Sequence, residues 1–302
     1  MHRRQPVFLI FATISLVFLA ATLSLARNSP ATALGVDVDF YTGPITREVW
    51  LRMKAANQQF AIAQAWGGQS RNEFASAQLA GARMIAGMKT GAYVLLNFDN
   101  KVCPTFSKPV RTKKGTCDGP LVVQPQPGAR WQIQQGIAAL GTEFAHVAFI
   151  AIDVEWFLSA DPPRDPNAQA RRRQYVLDAI DEVRRCRKLP VIYTRNADGH
   201  WKDITGCDLT STVAGDASRH HADEAGCRRL YEVINDVKRP IPLWDVQNGS
   251  PALTGFRPYS AWTKRAGRQY RLDTSSFGLP PSRTVDLNIF DVSLFSMLWG
   301  KS

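Results

Sequence analysis

The chain has 302 residues, of which 45% are hydrophobic, 21% charged and 10% aromatic. These are values of globular proteins, so the composition excludes a disordered, collagen-like or coiled-coil chain. A single α/β barrel of about 250 residues would account for nearly the whole length. The formal net charge is +11, and because residues 1–33 hold three arginines and no acid, the remainder still carries +8.

The amino-terminal residues 1–33 predict export. Arg3 and Arg4 precede an apolar stretch over 7–26, and Ala31-Thr32-Ala33 offers a small-residue cleavage site. Such a segment is either a secretory signal peptide or an uncleaved membrane anchor, since its length also suffices to span a bilayer. In both cases the body over 34–302 lies outside the cytoplasm. There, its positive charge favours anionic wall polymers or membrane surfaces as partners over nucleic acid.

The five cysteines agree with an oxidising compartment. Cys103 and Cys117 bracket a polar, basic loop that apolar packing cannot hold, so a disulfide is expected there. Cys207 and Cys227 bracket a second polar stretch and could pair likewise. Cys186, on the apolar side of a helical pattern, is expected to be a buried free thiol.

Short apolar segments alternate with helical stretches after the leader, which is typical of βα units on a parallel sheet. Helices are predicted over Asn167–Lys188, which Pro190 follows, and around Phe74–Ile85. No internal repeat or linker divides the body. We therefore expect one domain, a monomeric, irregular (β/α) TIM-like barrel. Its predicted strands are Gly35–Tyr41, Phe60–Ala65, Ala92–Phe98, Val147–Glu155, Pro190–Thr194, Pro242–Val246 and Thr284–Phe290.

Acidic residues share one face of three predicted strands. Because side chains alternate along a strand, residues two apart point the same way. This rule groups Asp37 with Asp39, Asp153 with Glu155, and Asp286 with Asn288, each set opposite apolar neighbours. Grouped carboxylates are costly to bury without cations, so a wet cleft at the carboxyl end of the barrel is the expected location. Asp39 could equally cap a neighbouring loop.

Two nearby carboxyl groups with separated pKa values are what glycoside hydrolysis requires. One must be protonated to donate to the leaving oxygen, and the other must be ionised to stabilise positive charge at the anomeric carbon. We expect Glu155 to be the proton donor, with Asp153 raising its proton affinity. Asp37 or Asp286 would stabilise the positive centre or orient an N-acetyl group of the substrate.

Seven short motifs lie along the chain between Gly35 and Phe290. They are GVDV at 35–38, AGMKTGAY at 86–93, IDVE at 152–155, VIYT at 191–194, LW at 243–244, QY at 269–270 and VDLN at 285–288. In this order the motifs resemble those of family 25 glycoside hydrolases, the Chalaropsis-type lysozymes. The resemblance implies an irregular barrel that cleaves peptidoglycan between N-acetylmuramic acid and N-acetylglucosamine. It also implies Glu155 as general acid, with Asp37, Asp153 and Asp286 around the scissile bond.

The sequence departs from the family at two strand ends, which indicates a divergent member. After the second strand it reads Gln-Ala-Trp-Gly-Gly over 64–68 where the family has a Lys-Ala-Thr-Glu-Gly-like turn. Asp245 and Gln247 follow Trp244 where the family more often has small apolar residues and Tyr. Aromatic and polar residues near the strand ends are candidate sugar contacts; they are Trp66, Tyr93, Tyr193, Trp244, Asp245 and Asn288.

Other chemistries find little support in the sequence. The glycines over 81–90 lack the spacing of a phosphate-binding loop. His220 and His221 beside Asp223 are better explained as a solvated loop than as metal ligands. We therefore expect no cofactor, no metal and a polysaccharide partner, with membrane contact through residues 1–33 if they are uncleaved. The rival hypothesis is a glycan-binding protein that kept the barrel and lost turnover.

Overall fold

The computed structural model describes residues 32–98, 101–102, 122–123, 128–155, 165–195, 200–207 and 224–293, the two short segments and residue 224 by their backbone only. The predicted Cys103–Cys117 bridge and the loop with His220 and His221 lie outside these residues. So does most of the predicted leader. Thr32 and Ala33, which were assigned to it, begin the first strand, and Ala33 is fully buried.

Eight strands form a closed barrel in the order β1-β10-β9-β8-β7-β6-β3-β2, and a separate two-stranded sheet joins β4 to β5. The strands are β1 (Thr32–Val38), β2 (Gln58–Gly67), β3 (Lys89–Leu95), β4 (Lys101–Val102), β5 (Val122–Val123), β6 (Phe149–Asp153), β7 (Leu189–Thr194), β8 (Leu243–Val246), β9 (Gly267–Thr274) and β10 (Val285–Asp291).

Helices surround the first part of the barrel and are absent from its last part. None occurs between the end of β8 and the start of β10 in the described chain, which makes the barrel irregular as expected. The fold class predicted from the sequence is confirmed. The helices are α1 (Arg47–Ala55), α2 (Ala75–Met84), α3 (Gly128–Leu140) with a 3-10 turn (Gly141–His146), α4 (Pro166–Arg185), α5 (His200–Thr205) and α6 (Glu224–Ile234).

Local sequence explains the bounds of the longest helix. Asp165 precedes α4 and accepts hydrogen bonds from the backbone N–H groups of Asn167 and Ala168, and Pro166 occupies the first turn. At the other end Cys186 caps the helix. Its thiol is free, as predicted, but only half-buried, because the cap position lies beyond the apolar stripe.

The barrel has two apolar layers. Residues that alternate outward from the strands pack against the helices, whereas the inward set forms a separate cluster that includes Phe60, Phe149 and Phe290. Glycines in the strands make room for these rings: a Cβ on Gly35 would lie 2.4 Å from the Phe60 ring, and one on Gly91 would lie 2.5 Å from that of Phe149. These rings fill the interior of the barrel below the strand ends.

The structure corrects the predicted topology in two respects, the direction of the last strand and the number of strands. The seven predicted strands all exist, each within three residues of its predicted bounds, but the last of them, β10, runs antiparallel to both of its neighbours. Between β8 and β10 lies β9, which the sequence analysis missed. Because β10 is reversed, its first residues lie at the same end of the barrel as the last residues of the parallel strands.

Cys207 and Cys227 form the disulfide that was expected as a possibility, with their Cα atoms 5.6 Å apart. The bridge connects the residues after α5 to α6 on the outside of the barrel. Within the described ranges, no helix combines the length and apolar character needed to cross a membrane. No cluster of three potential metal ligands occurs in them either.

Candidate functional site

A cavity of about 200 Å³ opens at the carboxyl ends of the parallel strands. All four predicted catalytic carboxyl groups line it. Asp37 reaches it from β1, Asp153 and Glu155 from the end of β6, and Asp286 from the start of β10. The remaining lining residues are Gln64, Tyr93, Leu95, Tyr193, Arg195, Trp244, Gln269 and Leu272.

Asp37 and Asp286 are paired across the seam between β1 and β10 and are joined by one amide. Gln269 Nε2 donates to Asp37 Oδ2 at 2.8 Å and to Asp286 Oδ2 at 2.9 Å. Asn288 Nδ2 also donates to Asp37 Oδ2, at 2.7 Å, and Asn288 Oδ1 accepts from Trp244 Nε1 at 2.9 Å. Asn288 therefore holds Asp37 in place, and it lies below the cavity instead of lining it.

Burial is the largest influence on the pKa values of Asp37 and Asp286. It raises the pKa of Asp37 to about 7, and the hydrogen bonds from Asn288 and Gln269 oppose that rise. Burial also raises the pKa of Asp286 to about 9, with the charge of Asp37 adding to the effect. Two carboxyl groups this close resist ionising together. At neutral pH Asp286 is therefore protonated, and Asp37 is the member of the pair that ionises.

Asp153 is the buried acid of the second pair, and its surroundings shift its pKa. Burial, and then the charge of Glu155, raise its pKa well above the ordinary value, while Arg195 acts in the opposite direction. Its Oδ1 is buried and has no hydrogen-bond partner among the described residues. Burial therefore favours the protonated form of this carboxyl group.

Glu155 has a cationic neighbour that the sequence analysis did not anticipate. Arg195 Nε lies 2.8 Å from Glu155 Oε1, and His200 Nδ1 lies 3.8 Å from the same oxygen. An ion pair stabilises the ionised form of a carboxyl group. Arg195 thus opposes the effect expected from Asp153. The strand rule could have found Arg195, because it follows Tyr193 by two positions on the same face.

The aromatic candidates divide into two groups. Tyr93, Tyr193 and Trp244 line the cavity, and the ring centroids of Tyr193 and Trp244 are 4.5 Å apart. Burial raises the pKa of both tyrosines well above the ordinary value, so their hydroxyl groups stay protonated. Tyr193 donates its hydroxyl to Gln269 Oε1 at 2.7 Å. These residues form an aromatic wall beside the acids.

Trp66 is not part of this wall. The register between β2 and β3 shifts between Gln64 and Trp66, so Gln64 faces the cavity and Trp66 faces the helices. Its ring nitrogen donates to Gln132 Oε1 of α3 at 3.1 Å, and its ring contacts Trp131 at 5.3 Å between centroids. The expected sugar contact at Trp66 is therefore withdrawn.

Asp245 also lies away from the cavity. It follows the inward-facing Trp244, so it points outward, where Arg265 Nη1 contacts its Oδ2 at 3.2 Å and the Tyr259 hydroxyl donates to its Oδ1 at 3.3 Å. Asp245 therefore forms a buried ion pair with Arg265 in the outer layer of the barrel.

Asp39 lies in a turn after β1 and accepts a hydrogen bond from the backbone N–H of Thr42 at 2.8 Å. The loop-capping alternative is thus the arrangement found for Asp39.

Solved structures with the same architecture are lysozymes and muramidases. A lysozyme from Streptomyces coelicolor superposes with a TM-score of 0.59 at 17% identity, over 90% of this chain and 99% of the other. A family GH25 lysozyme from Aspergillus fumigatus gives 0.58 at 15% identity, over 90% and 100%. A muramidase from Acremonium alcalophilum gives 0.56 at 18% identity, over 89% and 100%.

The barrel has the family 25 lysozyme fold. The resemblance inferred from short motifs is thus confirmed at the level of the fold, across about 90% of the chain. No protein-family profile matches the sequence, and neither does any curated protein. Low identity and a shared fold together describe a divergent representative of this architecture.

Proposed function

We propose that this protein is a lysozyme-like glycoside hydrolase that cleaves the glycan strands of peptidoglycan. The convergence of Asp37, Asp153, Glu155 and Asp286 on one cavity carries the proposal. Glycoside hydrolysis needs a protonated and an ionised carboxyl group on either side of one bond. The muramidases and lysozymes with the same fold make peptidoglycan the first substrate to test.

In this proposal Glu155 donates a proton to the leaving glycosidic oxygen. It is more accessible than Asp153, which is buried at the cavity floor and serves as a neutral hydrogen-bonding group. Asp37 accepts two amide hydrogen bonds that favour its ionised form, so it stabilises the positive charge that develops at the anomeric carbon. Tyr93, Tyr193 and Trp244 supply the flat apolar surface against which a pyranose ring packs.

The test is sugar release from purified peptidoglycan by the wild type and by Glu155→Gln. General acid catalysis contributes about 10²–10⁴-fold, so Glu155→Gln should lower kcat by at least that range and leave binding largely unchanged. The same substitution at exposed Glu232 of α6 is the matched control and should leave kcat unaltered. Near wild-type turnover by Glu155→Gln would refute the assignment of the acid.

The rival function is glycan binding without turnover. The ion pair between Arg195 and Glu155 favours it, because an ionised Glu155 cannot donate a proton. Peptidoglycan binding by a wild type that releases no sugar between pH 4 and 8 would establish this alternative. Chitin oligomers, assayed in parallel, show whether the muramic acid residue is needed.

We also propose that the domain acts as a monomer outside the cytoplasm. The disulfide between Cys207 and Cys227 supports this location, since such bonds persist in oxidising compartments. The apolar stretch over 7–26 supplies either a signal peptide or a membrane anchor. Mass analysis of the amino terminus of the protein purified from its native cells distinguishes cleavage from anchoring.

A further inference from the structure

The end of the barrel opposite the cavity is basic. This basal surface consists of the segments that lead into the parallel strands and of the residues that end β10, which are 54–57, 84–88, 145–148, 186–188, 235–242, 263–266 and 291–293. Besides Arg265, which pairs with Asp245, these segments hold six lysines and arginines and two acids, which gives a net charge of +4. The six cations are Lys54, Arg187, Lys188, Lys238, Arg239 and Lys264, and the two acids are Asp236 and Asp291.

Hydrogen bonds join neighbouring segments of the basal surface. At the end of α4, Arg184 Nη2 donates to the backbone carbonyl of Arg239 at 3.1 Å, on the segment before β8. Lys188 Nζ donates to the backbone carbonyl of Val147 at 2.6 Å, on the segment before β6. The segments that carry the cations are therefore held next to one another around the base of the barrel.

Two apolar side chains are exposed on the same surface. Val237, next to Lys238, is 98% exposed, and Met84, the last residue of α2, is 68% exposed. These are the two highest exposures among the large hydrophobic side chains of the described residues. Cations with neighbouring apolar side chains suit the boundary between anionic lipid headgroups and acyl chains. A hydrophilic polyanion would use the cations alone, so the two apolar side chains favour a bilayer as the partner.

The chain enters the barrel at the basal surface. Thr32, the first residue of β1, pairs with Asp291, whose backbone N–H donates to the carbonyl of Ala266 at 2.9 Å. Only residues 27–31, which include no acid, separate Thr32 from the apolar stretch over 7–26. An extended chain of this length spans at most about 20 Å. Insertion of the apolar stretch in a bilayer would therefore bring the basal surface, and not the cavity, close to the headgroups.

We propose that the basal surface is a docking surface for the anionic phospholipid headgroups of a membrane. The exposed cations contact the phosphate groups, and Val237 and Met84 insert between the headgroups. The cavity then opens away from the bilayer, separated from the headgroups by about 20 Å, the length of the seven-residue strand β1. The inference goes beyond the proposed function, since it assigns a partner to a surface that has no part in hydrolysis.

The experiment uses the full chain in lipid nanodiscs, made either of phosphatidylcholine alone or of a mixture with about one quarter phosphatidylglycerol. A water-soluble acetylating reagent modifies the lysines, and mass spectrometry gives the rate at each one. We expect Lys238 and Lys264 to react at least about fivefold more slowly in the anionic discs. Exposed Lys202 of α5, away from the basal surface, should react equally fast in both. At about 0.5 M salt the difference should vanish, because the Debye length falls to about 4 Å.

Arg187→Gln/Arg239→Gln removes two cations from the basal surface and leaves the monitored lysines in place. Each cation near an anionic surface strengthens binding about fivefold, so this double variant should reduce the protection of those lysines to less than about twofold. Arg47→Gln/Arg171→Gln is the matched control. It removes the same charge from exposed residues near the starts of α1 and α4, at the cavity end of the barrel, and should keep the protection seen in the wild type.

Equal rates at Lys238 and Lys264 in the two kinds of disc would overturn the proposal, and so would protection that survives Arg187→Gln/Arg239→Gln. Equal protection of Lys202 would also overturn it, because uniform protection reflects the net charge of the whole domain. Soluble poly(glycerol phosphate), added to the protein in neutral discs, tests a wall polymer as the partner. If it protects the same lysines as strongly as the anionic discs do, the surface binds polyanions without a bilayer and the lipid assignment is refuted.

Discussion

The side-chain amide of Gln269 bridges Asp37 on β1 and Asp286 on β10, because its NH2 group donates one hydrogen bond to each carboxyl group. Each hydrogen stabilises the ionised form of a carboxyl group that burial favours as neutral. Each carboxyl group also has a second donor: Asn288 Nδ2 donates to Asp37, and the backbone N–H of Asp273 donates to Asp286.

Gln269→Leu should therefore raise the pKa of Asp37 further above its value of about 7. If ionised Asp37 is required for turnover, the acidic limb of the kcat/KM profile should move to higher pH by about one unit. The profile is measured between pH 4 and 9. Gln135→Leu on α3, which removes an acceptor for Arg71 outside the cavity, is the control. An unmoved acidic limb in Gln269→Leu would remove Asp37 from the mechanism.

Asp286 links the site to stability through pH. Its folded-state pKa of about 9 lies above the ordinary value of 3.8. Below about pH 4 both the folded and the unfolded chain hold the proton, so the group has no effect. As pH rises from 4 to 9 the unfolded chain ionises first, and the free energy of unfolding falls.

Asp286→Asn should remove this loss, because an amide resembles the protonated acid. We expect the free energy of unfolding of the variant to equal that of the wild type at pH 4 and to exceed it by about 1 kcal/mol or more at pH 8. Each kcal/mol corresponds to a rise in Tm of about 2–4 °C for a domain of this size. Thermal unfolding followed by circular dichroism at both pH values measures it. A gain of equal size at pH 4 would show a packing effect instead.

Among the strands, β1 shows how a glycine and an acid share one face. Asp37 lines the cavity, and two residues earlier Gly35 leaves space for the Phe60 ring below it. Gly35→Ala should destabilise the barrel by about 1–3 kcal/mol through overpacking. Urea unfolding measures the change.

The double variant Gly35→Ala/Phe60→Leu separates overpacking from a conformational effect of the alanine. A smaller side chain at position 60 gives the new methyl group room, so the double variant should recover stability relative to the sum of the two single variants. Additive losses would contradict the steric explanation.

Alternation along the strands was sufficient to predict that Asp37, Asp153, Glu155 and Asp286 face one cavity, because inward polar residues contrast with outward apolar ones on β1, β6 and β10. It failed for Gln269, since β9 has polar residues on both faces: Arg268 points outward and donates to loop carbonyl groups. The sequence of β9 therefore lacks the alternation of polar and apolar residues by which the other strands were predicted.

Two further errors have different causes. The register shift that turns Trp66 toward α3 depends on the pairing of β2 with β3, which no single strand sequence encodes. Asp245, by contrast, was excluded by the alternation rule itself, because it adjoins the inward-facing Trp244. The direction of β10 depended on finding β9, so missing one strand also concealed the reversal of the next.

At the scale of the whole molecule, the bridge between Cys207 and Cys227 fastens α6 to the chain that follows α5. It closes a segment with a sequence separation of 20 residues, so its loss should lower the free energy of unfolding by about 3 kcal/mol. Guanidinium unfolding of the Cys207→Ala/Cys227→Ala variant measures this. Cys186→Ala, which removes the free thiol, should have a much smaller effect, and equal losses in both variants would contradict the prediction.

The seam between β1 and β10 has a consequence for folding. Thr32 pairs with Asp291 and Ala33 with Phe290, so the contacts that close the barrel join the two ends of the described chain. These contacts join residues that are farther apart in sequence than any other paired strands of the described chain. The chain must lose the conformational entropy of closing this long loop before the contacts can stabilise it. Closure is therefore expected late, after the βα units have formed. A circular permutant that joins these adjacent ends and opens a surface loop elsewhere would make the seam local and allow it to form early.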